Sequence, residues 1–162
     1  MDIIEGSERA TGRRFAIIVA AYHDFVTSRL QTGAVAALSD AGVASDDLVV
    51  VRVPGAFEIP IAAQHAAETG RYDDVICLGC LIRGETPHFE YIASAVAHGL
   101  TSAASATGVP MAFGVLTTNS VEEALARTGE GPANKGHEAG RAAIAMASVV
   151  ATLTRQPSAS SQ

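Results

Sequence analysis

The residues best suited to chemistry are concentrated between Arg83 and His88. An apolar run precedes this segment, and Pro87 is typical of the first turn of a helix, so we expect a strand, a turn and a helix N-terminus. Glycine and free backbone N–H groups at a helix N-terminus form a binding site for phosphate. The same end of a helix disfavours a protonated imidazole, so we expect His88 to be uncharged at neutral pH and able to accept a proton. The segment therefore predicts an anion site beside a general base.

Within this turn, Thr86 is interpreted as the N-cap, and Pro87 and His88 as the first two helical residues. The spacing leaves open a second interpretation of His88, a surface histidine that packs against Phe89. The turn matches neither a Walker A loop nor a G-x-G-x-x-G fingerprint, so it does not indicate a nucleotide. Glu85 is compatible with a bound anion only if its carboxylate points away.

Residues that would complete a site follow two other predicted strands. Tyr22 comes after the apolar run at 15–21, and Glu58 comes after the run at 48–53. Because the carboxyl ends of parallel strands meet at one edge of a sheet, we expect both residues near the 83–88 turn. Tyr22 is suited either to stacking on a flat ring or to packing at the surface. Glu58 is suited either to capping its own helix or to binding a polyol.

Two cations come from later in the chain. Lys135 is the only lysine, and it stands at the start of a predicted helix, where the helix dipole disfavours a positive charge. A lysine at a position where the helix dipole disfavours a cation indicates a functional role for Lys135. The alternative is that the lysine stands there by chance. Arg127 ends a short helix that Ser120 and Glu123 begin as a capping box. The dipole favours a cation at that end, which is by itself a sufficient structural reason for Arg127.

Cys77 and Cys80 form a C-x-x-C pair, which is a pattern of redox and metal sites. There is no second cysteine pair to complete a zinc site. Residues three apart on a strand point to opposite faces, so the two thiols are not expected to converge. We therefore predict that both cysteines pack in the core and that there is no metal site.

The composition disfavours several classes of partner. A formal net charge of −6 and a pI near 5.3 argue against nucleic acid and anionic membranes, which bind basic surfaces. No apolar segment approaches the ~20 residues of a membrane span, and the first residues lack a signal-peptide pattern, so we expect a cytoplasmic protein. Only 17% of residues are charged. The average is about 25%, and the low fraction favours burial of some surface against further copies of the chain.

Alternating apolar runs and helical spacing predict the architecture. Each of four buried-type runs is followed by a helical stretch, and the runs cover residues 15–21, 48–53, 74–82 and 111–118. This alternation predicts an α/β fold with a parallel sheet covered by helices on both faces. We expect one domain over residues 1–155, an edge strand at Ile3-Ile4 and a disordered tail at 156–162. Two helices that bear on the site are expected to begin near Phe57 and Asn134.

Several segments, in the same order, resemble the lumazine synthase family of the riboflavin pathway, and the resemblance covers the chain nearly end to end. The segments are Val53-Pro54-Gly55-Ala56-Phe57-Glu58-Ile59-Pro60, Leu81-Ile82-Arg83-Gly84-Glu85-Thr86-Pro87-His88-Phe89, Phe113-Gly114-Val115-Leu116-Thr117-Thr118 and Asn134-Lys135-Gly136. The resemblance implies a flavodoxin-like, three-layer α/β sandwich with a four-stranded parallel sheet. It also implies a transferase that condenses 5-amino-6-(D-ribitylamino)uracil with 3,4-dihydroxy-2-butanone 4-phosphate, without cofactor or metal, to give 6,7-dimethyl-8-ribityllumazine.

The resemblance further implies a role for each matched residue. His88 is the proton-transfer residue, Glu138 is an acidic position nearby, and Phe113 and Lys135 reach the site from the adjacent subunit. His23 stands where asparagine is frequent in the family. The residues expected at the pyrimidine and ribityl group are Tyr22, His23, Ala56, Phe57, Glu58, Leu81, Ile82, Phe113 and Lys135. Those expected at the phosphate are Gly84, Glu85, Thr86 and Arg127.

The partners implied by the resemblance are small-molecule substrates and further copies of the chain, arranged as pentamers. In this family the two final helices meet at the loop around residues 131–133, whose geometry is linked to the building of a sixty-subunit capsid from pentamers. The loop carries no insertion here, which favours the capsid, while Pro132 leaves the question open. Riboflavin synthase is a further candidate partner.

Two other functions compete with the enzyme. The first is a protein on the same scaffold that stores a flavin or a lumazine. It is less favoured because His88, Arg127 and Lys135 are all present, and pure binding needs no proton transfer. The second is a regulatory module that binds phosphate or nucleotide, which would explain the 83–88 turn but not the other matched segments.

Overall fold

The structure is a computed structural model that describes residues 1–155. Its strands and helices alternate along the chain, as the pattern of apolar runs predicts. The elements are β1 (Phe15–Ala20), α1 (Asp24–Asp40), β2 (Leu48–Val53), α2 (Ile59–Glu68), β3 (Asp74–Ile82), α3 (His88–Thr107), β4 (Met111–Thr118), α4 (Val121–Ala126) and α5 (Lys135–Arg155). The disordered tail predicted for 156–162 lies outside the described residues.

The four strands form one parallel sheet in the order β2-β1-β3-β4. After β1 the chain first adds β2 on one side and then returns to add β3 on the other side. The carboxyl ends of β1 and β3 therefore flank the point at which the strand order reverses. In open α/β sheets this is the crevice in which ligands bind.

Helices cover both faces of the sheet, because alternate residues of the buried strands are apolar on both sides. Along β3, Ile76 and Leu78 pack in the core beneath α1 and α5. Val75 and Cys77 pack in a second core beneath α2 and α3. The predicted three-layer α/β sandwich with a four-stranded parallel sheet is confirmed.

The two cysteines lie in different cores, as their spacing on a strand predicts. Cys77 is buried on the α2/α3 side of the sheet and Cys80 on the α1/α5 side. Burial raises the pKa of both thiols, that of Cys80 to about 11. Neutral, separated thiols are neither good nucleophiles nor good metal ligands, which agrees with a packing role for both.

Three predicted boundaries near the chain start and the site are wrong. Ile3 and Ile4 are exposed and form no strand within the described chain. Helix α3 begins at His88, one residue late, because Pro87 has a ψ of 4°, away from the helical value of about −40°. Pro87, not Thr86, is thus the N-cap. Helix α2 begins at Ile59, since residues 56–58 form a separate short helical turn.

Candidate active site

A cleft of about 650 Å³ lies at the carboxyl ends of β1, β2 and β3, beside the start of α3. We call it the first cleft. Of the residues predicted for the site, Tyr22, His23, Ala56, Phe57, Glu58, Leu81, Ile82, Gly84, Thr86 and His88 line it. The parallel sheet brings these residues together although they come from three separate segments of the chain. This position is the crevice expected from the strand order.

Tyr22 and His23 form the wall of the first cleft that follows β1. The side chain of Tyr22 is 68% exposed, and its ring centroid lies 4.4 Å from that of His23. His23 has a φ of 60°, the only positive φ among the described residues other than glycine. A left-handed histidine just before α1 costs free energy and turns the chain sharply. The turn leaves a large aromatic surface open to the cleft.

The imidazole of His23 is better suited to hydrogen bonding than to carrying charge. Partial burial lowers its pKa below the ordinary value, so the neutral form is favoured at neutral pH. A neutral imidazole offers one hydrogen-bond donor and one acceptor, which are the groups that a hydroxyl needs.

Phe57 and Glu58 form the opposite wall, on the short helical turn after β2. The Phe57 side chain is 61% exposed, which is unusual for an apolar ring outside an interface or a ligand site. The backbone N–H of Glu58 donates to the carbonyl of Gly55 at 3.2 Å. The structure therefore offers an apolar surface and a carboxylate side by side.

The turn after β3 supplies the third wall. Gly84, Thr86 and His88 line the cleft, and a Cβ built on Gly84 would meet no atom within 4 Å. The approach to this backbone is therefore open to a ligand. His88 is exposed and is the first residue of α3. Glu85 is exposed and does not line the first cleft.

The remaining predicted residues lie elsewhere, in a second cleft of about 270 Å³ between the edge strand β4 and α5. Phe113, Arg127, Lys135 and Glu138 line this second cleft. Lys135 Nζ donates to Glu138 Oε2 at 2.7 Å, and the Lys135 backbone N–H donates to the Arg127 carbonyl at 2.9 Å. The phenyl ring of Phe113 is 51% exposed. Two cations and an exposed aromatic ring thus line a different cleft from His88.

Asn134 holds the start of α5 and was missed as a positioning residue by the sequence reasoning. Its side-chain oxygen accepts hydrogen bonds from the N–H groups of Gly136 and His137, and its amide donates to the Arg29 carbonyl of α1 at 3.1 Å. The residue is only 4% exposed. The signal that could have identified it is the strong preference for asparagine at N-caps.

Two glycines allow the close packing around Asn134. A Cβ on Gly33 of α1 would collide with the Asn134 side chain, and one on Gly136 would collide with the Leu30 carbonyl. The backbones of α1 and α5 therefore approach each other in a way that larger residues would prevent. Lys135, which lies between Asn134 and Gly136, is placed by this contact.

Residues 1–155 contain neither a cluster of metal-binding side chains nor a helix suited to crossing a membrane. No cluster of three or more histidine, cysteine, aspartate or glutamate side chains with the geometry of a metal site occurs in this part of the chain. Among the helices of the same residues, none combines the length and the apolar character that a membrane crossing requires.

The sequence profile of the 6,7-dimethyl-8-ribityllumazine synthase family matches residues 12–151. The match covers all four strands and includes every residue of both clefts that is named above. The part of the chain that forms the first cleft, at the switch point of the parallel sheet, therefore lies within the region that matches this family of riboflavin-pathway enzymes. The chain therefore belongs to the 6,7-dimethyl-8-ribityllumazine synthase family.

Proposed function

We propose that the protein condenses 5-amino-6-(D-ribitylamino)uracil with 3,4-dihydroxy-2-butanone 4-phosphate to form 6,7-dimethyl-8-ribityllumazine. The observation that carries the proposal is the first cleft, which places an exposed aromatic pair, a glycine-containing turn and His88 around one open volume. Family membership supplies the reaction, and the cleft supplies a place for both substrates. Both substrates and the product are small polar molecules, and no cofactor is required for the proposed step.

The pyrimidine is proposed to stack on Tyr22, with the backbone of Leu81 and Ile82 at its edge. The ribityl chain then runs toward Ala56, Phe57 and Glu58. The Glu58 carboxylate and a neutral His23, which line the same cleft, give acceptors and a donor for several hydroxyl groups. Exposed rings on both sides of the cleft exclude water from the heterocycle once it is bound.

The phosphate of the second substrate is proposed to lie against the turn at 84–86, at the N-terminus of α3. This helix contains 20 residues, so its dipole and its free N–H groups favour an anion there. His88 would then stand beside the reacting carbonyl. Imine formation, loss of phosphate and ring closure each need protons to be moved, and a histidine in the first turn can relay them.

Arg127, Lys135 and Phe113 are proposed to complete the first cleft of a neighbouring copy of the chain. They share the second cleft and do not line the first one. A cyclic assembly in which the second cleft of each subunit meets the first cleft of the next would place Arg127 and the 84–86 turn on the same phosphate. The proposed assembly is a pentamer in the cytoplasm.

Higher assembly is proposed to depend on the loop that precedes α5. Residues 131–133 form one short helical turn there, and Gly131 has a φ of 63°. The loop has no insertion, which supports a capsid of sixty subunits built from pentamers. Light scattering of the pure protein distinguishes the pentamer, a decamer and the capsid, and co-elution with riboflavin synthase tests that partnership.

The decisive experiment is turnover by the purified protein. We expect lumazine absorbance and fluorescence to appear when both substrates are present and not when either one is omitted. If the protein shows no turnover but binds a flavin tightly, the enzyme proposal is wrong and a storage function is favoured. Absence of turnover with phosphate binding alone would indicate a regulatory module. Holding two reactants in register is the main catalytic effect expected, so activity should need the intact assembly.

A further inference from the structure

Arg83 is fixed by contacts in several directions although it is an exposed residue. Its backbone N–H donates to the Thr118 carbonyl at 2.8 Å, which extends the β3–β4 ladder by one residue. Its Nε donates to Asn119 Oδ1 at 3.0 Å, and its Nη1 forms an ion pair with Glu90. The guanidinium carbon lies 4.7 Å from the centre of the Phe89 ring. One side chain therefore connects the ends of β3 and β4 to the first turn of α3.

Asn119 is itself held in place, so Arg83 is attached to a rigid partner. The Asn119 N–H donates to Glu123 Oε2 at 2.8 Å, and the Glu123 N–H donates to Ser120 Oγ at 3.1 Å. This is the capping box at the start of α4. The planar guanidinium group presents its N–H donors in a fixed geometry, so it loses little conformational entropy when it binds acceptors that are already held in place. The contact from Arg83 to Asn119 is therefore expected to persist in solution.

Glu90 provides the other anchor, in the first turn of α3. Its own backbone N–H and then the Arg83 guanidinium lower the pKa of its carboxyl, so the carboxylate is charged at neutral pH. The segment between the anchors is residues 84–87, and its three backbone N–H groups, those of residues 84–86, donate no backbone hydrogen bond to any described residue. We therefore expect the conformation of this segment to be set by the residues that hold its two ends.

The position of Arg83 argues against a direct contact with substrate. Phe89 lines the first cleft and Arg83 does not. Its Nε and Nη1 are already occupied by Asn119 and Glu90. A contact of Nε or Nη1 with the phosphate would compete with these partners.

We infer that Arg83 is a positioning residue that fixes the 84–87 turn and the start of α3, so that the turn presents its N–H groups and His88 to the first cleft. This inference rests on the proposed function, because it takes the turn as the phosphate site. It assigns to Arg83, Glu90 and Asn119 a role in the shape of the site and assigns the direct binding of phosphate to the turn.

The test uses Glu90→Gln and Arg83→Lys in the full chain, each with a matched control. Glu68→Gln removes an exposed carboxylate whose Oε2 lies 3.9 Å from His65 Nδ1 on α2, and Arg71→Lys removes an arginine that lies 5.9 Å from the Tyr72 ring. Neither control residue lines either cleft. Each protein is titrated with inorganic phosphate, followed by hydrogen exchange of the 83–90 segment, and then assayed with both substrates.

We expect Glu90→Gln and Arg83→Lys to speed exchange of the 84–88 amides and to weaken phosphate binding by about tenfold. The KM for the phosphate-bearing substrate should rise by a similar factor, while the KM for the pyrimidine stays within about twofold. Both controls should match the wild type.

Opposite results would overturn the inference. If Arg83 bound phosphate directly, Glu90→Gln would release its guanidinium and tighten phosphate binding. If Arg83 were merely structural, both variants would lower Tm without separating the two KM values. If the wild type shows no turnover, the proposed reaction is refuted. Hydrogen exchange and phosphate titration would still test the role of Arg83.

Discussion

His88 and Arg127 line different clefts of the same chain, although both are expected to serve one active site. His88 lies in the first cleft, at the start of α3, and Arg127 lies in the second, just after α4. The second cleft is at the edge strand β4, and a sheet edge is a natural place for contact between subunits. The proposed site is therefore divided between the two clefts of each chain, and the proposal requires two copies to join its halves.

Subunit mixing is expected to restore activity to two impaired proteins when the phosphate-bearing substrate is held well below the KM of the Arg127→Ala variant. His88→Ala and Arg127→Ala subunits, unfolded together in equal amounts and refolded, should regain activity at about a quarter of the sites, because each site takes one half from each of two neighbours. Turnover of the mixture is compared with that of each variant refolded alone. No recovery in a correctly sized assembly would place both residues in a single subunit's site.

The same two variants are expected to differ in their kinetics when assayed separately. Arg127→Ala should mainly raise the KM for the phosphate-bearing substrate, because it removes a charge-assisted contact that is present in the ground state. His88→Ala should mainly lower kcat, by about a hundredfold or more, because proton transfer occurs only in the transition state. Steady-state kinetics with each substrate varied in turn measures both effects. Equal changes in KM and kcat in both variants would contradict the division.

Asn134→Ala is expected to destabilise the start of α5 and to impair the second cleft. The change removes two capping hydrogen bonds and leaves the Arg29 carbonyl without its donor, at a cost of about 1–3 kcal/mol. Urea unfolding at fixed protein concentration measures the loss. Ser120→Ala is the matched control, since it removes one capping bond from α4, with an expected cost of about 1 kcal/mol.

Asp74 is expected to make stability depend on pH in the opposite direction to most carboxylates. It is 1% exposed, and neither carboxylate oxygen makes a hydrogen bond of standard geometry with any described residue. Burial raises the pKa of Asp74 well above its ordinary value, the Ala112 backbone N–H opposes the rise, and Asp73 adds to it. The folded chain therefore holds this proton after the unfolded chain has released it. Its contribution to stability is complete below the unfolded pKa and is lost as pH rises.

The test for Asp74 is the variant Asp74→Asn, which has a similar shape and cannot ionise. We expect it to gain stability relative to the wild type as pH increases from about 4 to about 8 and to show little difference at the acid end. Urea unfolding across this range provides the measurement, and Asp46→Asn, at an exposed position, serves as the control. A constant difference at every pH would show that folding does not raise the pKa of Asp74.

Much of the fold could be predicted because it depends on local patterns. Apolar runs such as 15–20 form the buried strands, and the period-2 rule correctly separated Cys77 from Cys80. The least accurate predictions concern boundaries at the site, including Thr86 and Phe57. Those boundaries depend on individual backbone angles, such as the ψ of Pro87, which residue type does not determine.

The strands, the helices, the family motifs and the candidate residues could be predicted from the order of amino acids, because each of these is encoded within a few neighbouring positions. Which of the candidates share a cleft depends on the tertiary structure. It placed Arg127 and Lys135 in a different cleft from His88, occupied Nε and Nη1 of Arg83 with Asn119 and Glu90, and buried the carboxyl group of Asp74. These relationships involve residues that are far apart in the chain or whose surroundings are set by packing. Strand order and helix packing bring such residues together, and neither is encoded in a short stretch of sequence.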